Sequence, residues 1–395
     1  MSLRVSKPEF NIREKLNELD RPVGAQGNNI LQSNTTAESF SKIQAGRRNL
    51  LINGNMSIAQ RGSSTTGITG DTFGACDRWE LDLAGAGTWT MEQVGDAPYN
   101  TGFTHCSSLS CTSAATTVSS HLIFRQKIEA CHVKSLAGGN PNAKPLTLSF
   151  WVKSNEPGKY YAIVYRQRAG TDTSRISISY TIEQSEVWEF KTITYPPDTL
   201  DGYQTTETTQ GLEVHFALGL NQNNYGSAHY GQWSTNSAYV GKGQTNLAAA
   251  TGNYWRITGV QLEVGSEHTE FQDRSHTEEL ALCYRYYRRF TPVAPSGTDN
   301  YCGFGIGIVN QISGGIWTFP LDIPMRDRPA ITQNNLRLYD GSTNANITAM
   351  NTNRSSTTAI WIEPTTGSNS FTNGRAFLIG GNNTAGGYVE FDAEL

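Results

Sequence analysis

The sequence predicts an all-β protein: an antiparallel, jelly-roll-like β-sandwich, a smaller C-terminal β-domain and a short N-terminal helical attachment arm. Charged residues make up 17% of the chain and glycine is abundant, with 39 residues. Few charges, with many Thr, Asn and aromatic residues, favour pleated strands and tight turns. Short apolar runs recur at fairly regular spacing with turn residues between them, as in a sandwich. No helix-length pattern alternates with them, so a parallel α/β sheet is not expected.

Residues 1–46 predict two short amphipathic helices. The first ends at Arg21-Pro22, and the second follows Gly24 and Gly27. Helices this short cannot bury their apolar faces alone, so they must pack on sister subunits or on another protein. We interpret the region as an attachment and trimerisation arm, with a disordered tail as the alternative. The candidate contact residues are Phe10, Ile12, Leu16, Leu19, Ile30, Phe40 and Ile43.

Residues 47–275 predict the sandwich. In LTLSFWVKS (146–154), alternate residues such as Phe150 point to one face, which leaves Trp151 on the face away from the core. In DRW, Trp79 is expected to anchor the core, and Asp77 and Arg78 are expected to pair. LLINGNMSIA, which begins at Leu50, reads as the first strand.

Residues 276–290 predict a helical connector, because apolar residues recur there at three- and four-residue steps. Residues 291–395 predict the smaller β-domain, with strand candidates such as FGIGIVNQI, IWTFPLDI and AFLIGG. The last run, YVEFDAEL, alternates as a strand does, which favours a compact tip.

Bulk properties exclude several function classes. The formal net charge is −4, so no basic stripe for nucleic acid is predicted. No apolar run approaches the length of a membrane span, and the N-terminus lacks the apolar core of a signal peptide. Folding in a cytoplasm is therefore expected, with the six cysteines as scattered, buried thiols.

No catalytic motif is evident, so we predict no enzyme, no catalytic residue, no metal and no cofactor. The sequence lacks the nucleophile elbow, zinc-protease and phosphate-loop signatures. Glu267, Glu270 and Asp273 form an acidic cluster between His268 and His276. A metal or a carboxylate pair there is an alternative to a polar connector.

Several phrases resemble, in order, those of tail-fibre and receptor-binding proteins of tailed bacteriophages. They are RRNLLINGNMSIAQRG (47–62), CDRWELDL (76–83), LTLSFWVKS (146–154), TGVQLEVG (258–265), EELALCYRYYRRF (278–290) and FPLDIPMRDRPAI (319–331). The resemblance implies a homotrimeric virion component, assembled in the host cytoplasm. It also implies attachment through residues 1–46 to a phage tail, baseplate or adaptor protein. The implied ligand is host cell-surface polysaccharide, bound through the distal β-domains.

Aromatic residues among amides and hydroxyls are the expected sugar contacts, because sugar rings stack on aromatic faces. The candidates are Tyr225, Tyr230, Trp233, Tyr239, Tyr301, Trp317, Tyr339, Trp361 and Arg375. Some of these rings could instead pack under a loop or at a subunit contact. Two alternative functions remain: a polysaccharide-degrading tailspike and a purely structural collar or adaptor fibre.

Overall fold

A computed structural model describes residues 48–168, 173–200, 208–221, 230–235, 242–292, 303–367, 370–382 and 386–395, together with Gln32. The arm residues from Phe10 to Ile43 lie outside the described residues. Within the described residues, no helix combines the length and apolarity that crossing a membrane requires.

The first sheet of the sandwich, sheet A, is antiparallel and has six strands. In spatial order they are β1 (Ser64–Ile68), β4 (Thr88–Val94), β5 (Cys106–Ser113), β12 (Tyr254–Val264), β7 (Leu146–Ser154) and β10 (Glu189–Tyr195). Strand β7 alternates as predicted: Leu148, Phe150 and Val152 are buried, whereas Trp151 lies on the outer face, half-buried. The prediction for Trp151 is confirmed.

The second sheet, sheet B, packs its inner face on sheet A. Its strands, in spatial order, are β2 (Thr72–Phe73), β3 (Glu80–Ala84), β6 (His121–Glu129), β11 (Gln210–Leu220), β8 (Gly158–Gln167) and β9 (Thr173–Ile182). Phe150 of sheet A meets Phe216 of sheet B edge to face, with ring centroids 5.0 Å apart. Trp79 is fully buried and stacks on Phe124 at 4.9 Å, so its predicted role as a core anchor is confirmed.

Short helical segments lie at the ends of the strands. Helix α1 (Ala130–Val133) continues into a 3₁₀ turn (Lys134–Leu136), and a second 3₁₀ turn covers Leu247–Ala249. Helix α2 (His276–Tyr284) covers only the first part of the predicted connector. The remainder forms strand β13 (Tyr287–Phe290), because its aromatic and arginine residues pair with a strand near the end of the chain.

The C-terminal region forms a closed six-stranded barrel and a small sheet. The barrel strands, in spatial order, are β14 (Gly303–Gln311), β15 (Gly314–Pro320), β19 (Ala359–Thr366), β18 (Asn344–Asn351), β17 (Leu336–Tyr339) and β20 (Ala376–Gly381). In the small sheet, sheet C, β21 (Tyr388–Asp392) lies between β13 and β16 (Ala330–Asn334). With two predominantly β regions, the all-β fold class is confirmed.

A buried ion pair joins the end of the chain to the sandwich. Arg78 and Glu394 pair directly, and the Arg78 guanidinium lies 3.5 Å from the centre of the Tyr286 ring. Arg61 contacts both Glu394 and Asp392. The sandwich and the barrel thus share contacts within one compact unit, residues 49–395. The predicted division into separate domains stays a prediction.

Two local predictions are wrong. Asp77 and Arg78 do not pair, because Asp77 accepts hydrogen bonds from Gln60 while Arg78 turns to Glu394. Residues 50–59 do not form a strand but run as irregular, mostly buried chain. Side-chain amides satisfy this backbone: Gln126, for example, bonds both the N–H and the carbonyl of Ile52.

The predicted burial of the thiols is confirmed for four cysteines. Cys76, Cys106, Cys111 and Cys283 are buried. Burial raises the pKa of the Cys106 thiol to about 12, which keeps it protonated and unreactive. Cys131 is half-buried, and Cys302 lies outside the described residues.

Candidate functional site

The outer face of sheet A carries neighbouring aromatic rings. Trp151 of β7 lies directly opposite Phe190 of β10, with their ring centroids 5.3 Å apart. His268, from the loop after β12, lies 5.4 Å from Phe190. Phe190 is 41% exposed and His268 is exposed. We call Trp151, Phe190 and His268 the aromatic ledge, since solvent-facing rings fixed on strands can receive a flat apolar ligand face.

A charged cluster lies beside the aromatic ledge. Asp96 accepts hydrogen bonds from Lys153 Nζ at 2.8 Å, Trp188 Nε1 at 3.2 Å and Arg256 Nη1. Partial burial alone would raise the pKa of Asp96, but these hydrogen bonds together lower it. The carboxylate therefore stays ionised and holds the three donors in place, so polar groups border the rings at a fixed position.

A cleft opens beside the other edge of the ledge, where Gly259 interrupts the pairing of β12 with β7. Its φ of +63° is a left-handed conformation, and a Cβ there would lie 2.6 Å from Phe103 and 3.2 Å from Trp151. The glycine therefore allows both rings to approach the same stretch of backbone. The cleft has a volume of about 180 Å³. Its lining residues are Asn55, Thr101, Gly102, Phe103, Thr104, Glu270, Phe271 and Asp273. We call it the acidic cleft.

The outer face of sheet B, by contrast, is occupied by its own charges. Arg125 bonds Glu80 at 2.8 Å and Asp82 at 2.5 Å, and His215 bonds Glu213 at 2.6 Å. Burial alone would raise the pKa of Glu213, but the charges of His215 and Arg125 lower it. Because these side chains are largely buried and bonded to one another, this face offers less to a ligand than sheet A does.

One group of side chains within the described residues has spacing that suits a metal ion. Atoms of Asp71, Asp82 and His121 lie within 4.8 Å of one another. Arg125 also binds Asp82, and a guanidinium at that distance opposes a second cation. We therefore interpret the group as part of the ion-pair network. His268 and His276 are not members of this group, and the prediction of no metal stays a prediction.

Two predicted sugar contacts are described near the edge of sheet B. Tyr230 is 54% exposed, and its hydroxyl lies 2.9 Å from Ser179 Oγ. Trp233 instead packs against the sandwich core and donates its Nε1–H to the Pro196 carbonyl. Tyr225 and Tyr239 lie outside the described residues. Of the two that the structure describes, Tyr230 presents the largely exposed ring.

In the barrel, the predicted sugar contacts differ in how far they are exposed. Trp317 is 2% exposed and packs in the core, so its prediction as a surface contact is wrong. Trp361 is half-buried beneath Arg354, whose guanidinium lies 5.5 Å from the ring centre. Tyr339 is 38% exposed, and Arg375 is exposed and donates to Ser342 Oγ. Tyr301 lies outside the described residues.

Sequence reasoning missed most of the site on sheet A. Trp151 was placed correctly, but its partners Phe190 and His268 lie 39 and 117 residues from it along the chain. The acidic cluster of Glu270 and Asp273 was noticed but interpreted as a polar turn. The available signal was its position directly after the strand that pairs with the Trp151 strand.

No protein family matches the chain. No curated protein matches its sequence. Among solved structures, the chain is similar to the enzymatically active domain of tailspike protein 4 from bacteriophage CBA120, with 16% identity and a TM-score of 0.30. That match covers 55% of this chain and 21% of the tailspike chain, so it spans about a fifth of the relative.

Carbohydrate-binding modules also match. The CBM22-1 xylan-binding domain from Paenibacillus barcinonensis shows 10% identity and a TM-score of 0.28, over 57% of this chain and 100% of that domain. A family 11 carbohydrate-binding module from Clostridium thermocellum, in complex with a mixed-linked tetrasaccharide, shows 13% identity and a TM-score of 0.26. That match covers 52% of this chain and 99% of the module. At such TM-scores these similarities support no inference about function.

Proposed function

We propose that the protein is a receptor-binding component of a bacteriophage tail that holds host-surface polysaccharide on the aromatic ledge. The observation that carries the proposal is the ledge itself, with Phe190 41% exposed opposite Trp151 on a regular sheet. Sugar rings present flat C–H faces that pack on aromatic rings, and neighbouring polar groups bond their hydroxyls. The Asp96 cluster supplies such groups next to the rings.

The ledge is also rigid, which favours binding. Trp151 and Phe190 belong to strands that pair over seven consecutive residue pairs, from Glu189↔Val152 to Tyr195↔Leu146. Lys153 and Arg256 are held by Asp96. Side chains that are already fixed lose little conformational entropy when a ligand binds.

The assignment to a phage tail rests on the ordered resemblance of residues 47–331. We propose that the protein is a homotrimer in the virion, attached through residues 1–46 to a tail or baseplate protein. Three linked copies would raise the avidity for a repeating polysaccharide by roughly 10²–10⁴. Light scattering on the full chain and on residues 47–395 tests this arrangement: we expect a trimer that becomes a monomer without the arm.

Substituting the ledge tests the binding proposal. We expect Trp151→Ala combined with Phe190→Ala to weaken binding to host-surface polysaccharide at least about tenfold, since each stacked ring contributes roughly 1 kcal/mol. The measurement is calorimetric titration with polysaccharides purified from candidate host bacteria. Leu378→Ala is the matched control, because Leu378 is a 47% exposed apolar residue on the barrel.

Other outcomes would redirect the proposal. If the double variant binds as the wild type does, while Trp361→Ala does not bind, the receptor site lies in the barrel, as the sequence suggested. If the chain binds none of these polysaccharides but still assembles into virions, a structural collar or adaptor fibre becomes the better explanation.

The enzymatic alternative has one observation in its favour: Glu270 and Asp273 line the same cleft. A glycosidase places its two carboxylates on either side of the scissile bond. Here both come from one four-residue segment that turns back, with Asp273 N–H bonded to the Phe271 carbonyl at 3.0 Å. We therefore propose binding without hydrolysis, and an assay for released reducing ends should stay at background.

A further inference from the structure

We infer that Lys153 and Arg256 form a site for the carboxylate of an acidic sugar, such as a uronic acid, in the glycan that lies on the aromatic ledge. This inference rests on the proposed function and specifies its ligand. We call the two side chains the cation pair. Three observations support the site: the two cations are direct neighbours, a single carboxylate serves both, and the aromatic ledge is next to them.

The cation pair brings two like charges together on the outer face of sheet A. Arg256 of β12 and Lys153 of β7 are paired residues of adjacent antiparallel strands. Like charges directly opposite each other destabilise a sheet, so this arrangement requires negative charge nearby. Both side chains are partly open to solvent, with 26% of Arg256 and 16% of Lys153 exposed. A ligand can therefore reach them.

Asp96 supplies only part of the required negative charge. Its Oδ2 accepts hydrogen bonds from Lys153 Nζ at 2.8 Å and from Arg256 Nη1, while its Oδ1 accepts one from Trp188 Nε1 at 3.2 Å. One carboxylate thus faces two cations, which leaves a surplus of one positive charge in the cluster. The carboxylate of an acidic sugar would balance that surplus.

Two other carboxylates near this face do not complete the cluster. Glu92 lies in the same cross-strand row, with Ser108 between it and Arg256, and its Oε1 accepts a hydrogen bond from Ser64 Oγ at 3.4 Å. Glu186 is exposed in the turn before β10. Within the described residues, neither carboxylate forms an ion pair with the cation pair.

The guanidinium of Arg256 is held in place with one nitrogen left over. It lies over the ring of Tyr254, 4.6 Å from the ring centre, and its Nε donates to Ser108 Oγ at 3.2 Å. Its Nη1 donates to Asp96, whereas Nη2 makes no hydrogen bond within the described part of the chain. A planar guanidinium matches the geometry of a carboxylate, so a fixed guanidinium with a spare donor favours a carboxylate as its ligand.

The cation pair lies within reach of a sugar ring on the aromatic ledge. Lys153 follows Trp151 by two residues on the same face of β7, which is roughly 7 Å along a strand. The register fixes both positions, because Trp151 pairs with Thr258 and Lys153 pairs with Arg256. The acidic cleft lies at the other edge of the ledge, beside Gly259. An acidic sugar stacked on the ledge should therefore direct its carboxylate towards the cation pair and away from the cleft.

The test compares two tetrasaccharides on the full chain by calorimetric titration at low ionic strength. Tetragalacturonic acid carries carboxylates, and its methyl ester carries the same sugars without charge. We expect the acid to bind about tenfold more tightly, because hydrogen bonds between ionised groups are roughly twice as strong as neutral ones. Lys153→Gln combined with Arg256→Gln should remove this preference while the ester still binds. Lys144→Gln, at an exposed lysine outside the cluster, should preserve it.

Asp96→Asn gives a second readout that leaves both cations in place. It removes the carboxylate that competes with the ligand, so the preference for the acid over the ester should increase. A cation pair that serves only to hold Asp96 would show no such increase, and that result would contradict the inference. Thermal melting confirms that each variant is folded.

The outcomes separate the two proposals. Equal binding of acid and ester, binding of neither, or a preference that persists without both cations overturns the acidic-sugar inference. The ledge proposal still stands in that case if Trp151→Ala with Phe190→Ala weakens binding to host-surface polysaccharide. Unchanged binding of that ledge variant overturns the proposed function instead. Displacement of the acid by inorganic sulfate at equal concentration would show that the cation pair accepts any anion, and would also overturn the inference.

Discussion

At the scale of single residues, Asp340 shows how one carboxylate organises a turn of the barrel. It follows β17, and its Oδ1 accepts hydrogen bonds from the N–H groups of Thr343 at 2.7 Å and Ser342 at 3.0 Å. The hydroxyl of Ser342 adds a third bond at 3.1 Å. These bonds, led by that from Thr343, lower the pKa of Asp340 to about 2.

A depressed pKa makes the stability of the barrel dependent on pH. The stabilisation by the Asp340 charge is complete above about pH 4, the value for an unfolded aspartate, and is lost as the pH falls towards 2. We expect Asp340→Asn to lower the free energy of unfolding by about 1–2 kcal/mol at pH 7. Urea unfolding at pH 7 and pH 2.5 should show this difference shrinking at the lower pH. A difference that stays constant with pH would contradict the assignment, and Glu267→Gln serves as the exposed control.

The position of a residue inside or outside the core could be predicted when the neighbouring sequence alone determines it. Trp151 was placed outside the core because strand alternation is local. Trp317 was wrongly predicted to lie at the surface, because its burial depends on a residue of another strand. Gly305 leaves room for the indole ring, since a Cβ there would lie 2.5 Å from the Trp317 Nε1. The partner of Arg78 was missed because Glu394 lies 316 residues away along the chain.

At the scale of secondary-structure elements, helix α2 shows how neighbouring residues in the sequence determine where a helix begins. Ser275 caps its N-terminus: Ser275 Oγ accepts from the N–H of Glu278 at 3.3 Å, and Glu278 accepts from the N–H of Ser275 at 2.9 Å. The hydrogen bonds from Ser275 lower the pKa of Glu278. The helix then packs Cys283 against Ile52 and Ile58 of the irregular segment that precedes the sandwich.

Removing the cap should destabilise this contact. We expect Ser275→Ala to lower the free energy of unfolding by about 0.5–2 kcal/mol, because the backbone N–H of Glu278 loses its hydrogen-bond acceptor. Urea unfolding measures the change, with Ser266→Ala, an exposed serine of the preceding loop, as the control. An effect no larger than that of the control would show that tertiary packing alone holds the helix.

Strands were predictable when their apolar residues alternate, and missed when they do not. Strand β7 has the boundaries that the run LTLSFWVKS suggested. Strand β5, CSSLSCTS, was missed because serine dominates it, and its strand conformation comes from pairing with β4 and β12. Residues 50–59 look apolar enough for a strand, yet their backbone bonds side chains instead.

At the scale of the whole molecule, the sandwich and the barrel region are joined by buried charge. The Arg78 and Glu394 side chains are 1% and 4% exposed. Arg78 also donates to the Lys127 carbonyl at 2.8 Å, and Arg326 bonds the carbonyls of Ala393 and Glu394. The last residues of β21 and beyond therefore link both regions, which restricts the angle between them.

Removing one partner of the Arg78–Glu394 pair should destabilise the protein more than replacing both partners with apolar residues. We expect Glu394→Ala to lower the free energy of unfolding by about 3–5 kcal/mol, because Arg78 is left buried without its partner. Arg78→Met combined with Glu394→Leu should cost clearly less, since no unpaired charge remains. Urea unfolding of both variants gives the comparison. Equal losses would mean that the two side chains contribute through packing and not through charge.

The closed barrel has a consequence for molecules displayed in many copies on one particle. A sheet with open edges exposes unpaired backbone groups, and such edges join strand to strand between neighbouring copies. In the barrel each strand is paired on both sides, so its backbone offers no such edge. Crowded copies can then meet at the described barrel strands through side chains such as Ile306, Ile308 and Leu378, which are exposed on the barrel wall. Side-chain contacts of that kind are reversible and can be altered one residue at a time. Strand addition, by contrast, pairs the backbone hydrogen-bonding groups of both molecules.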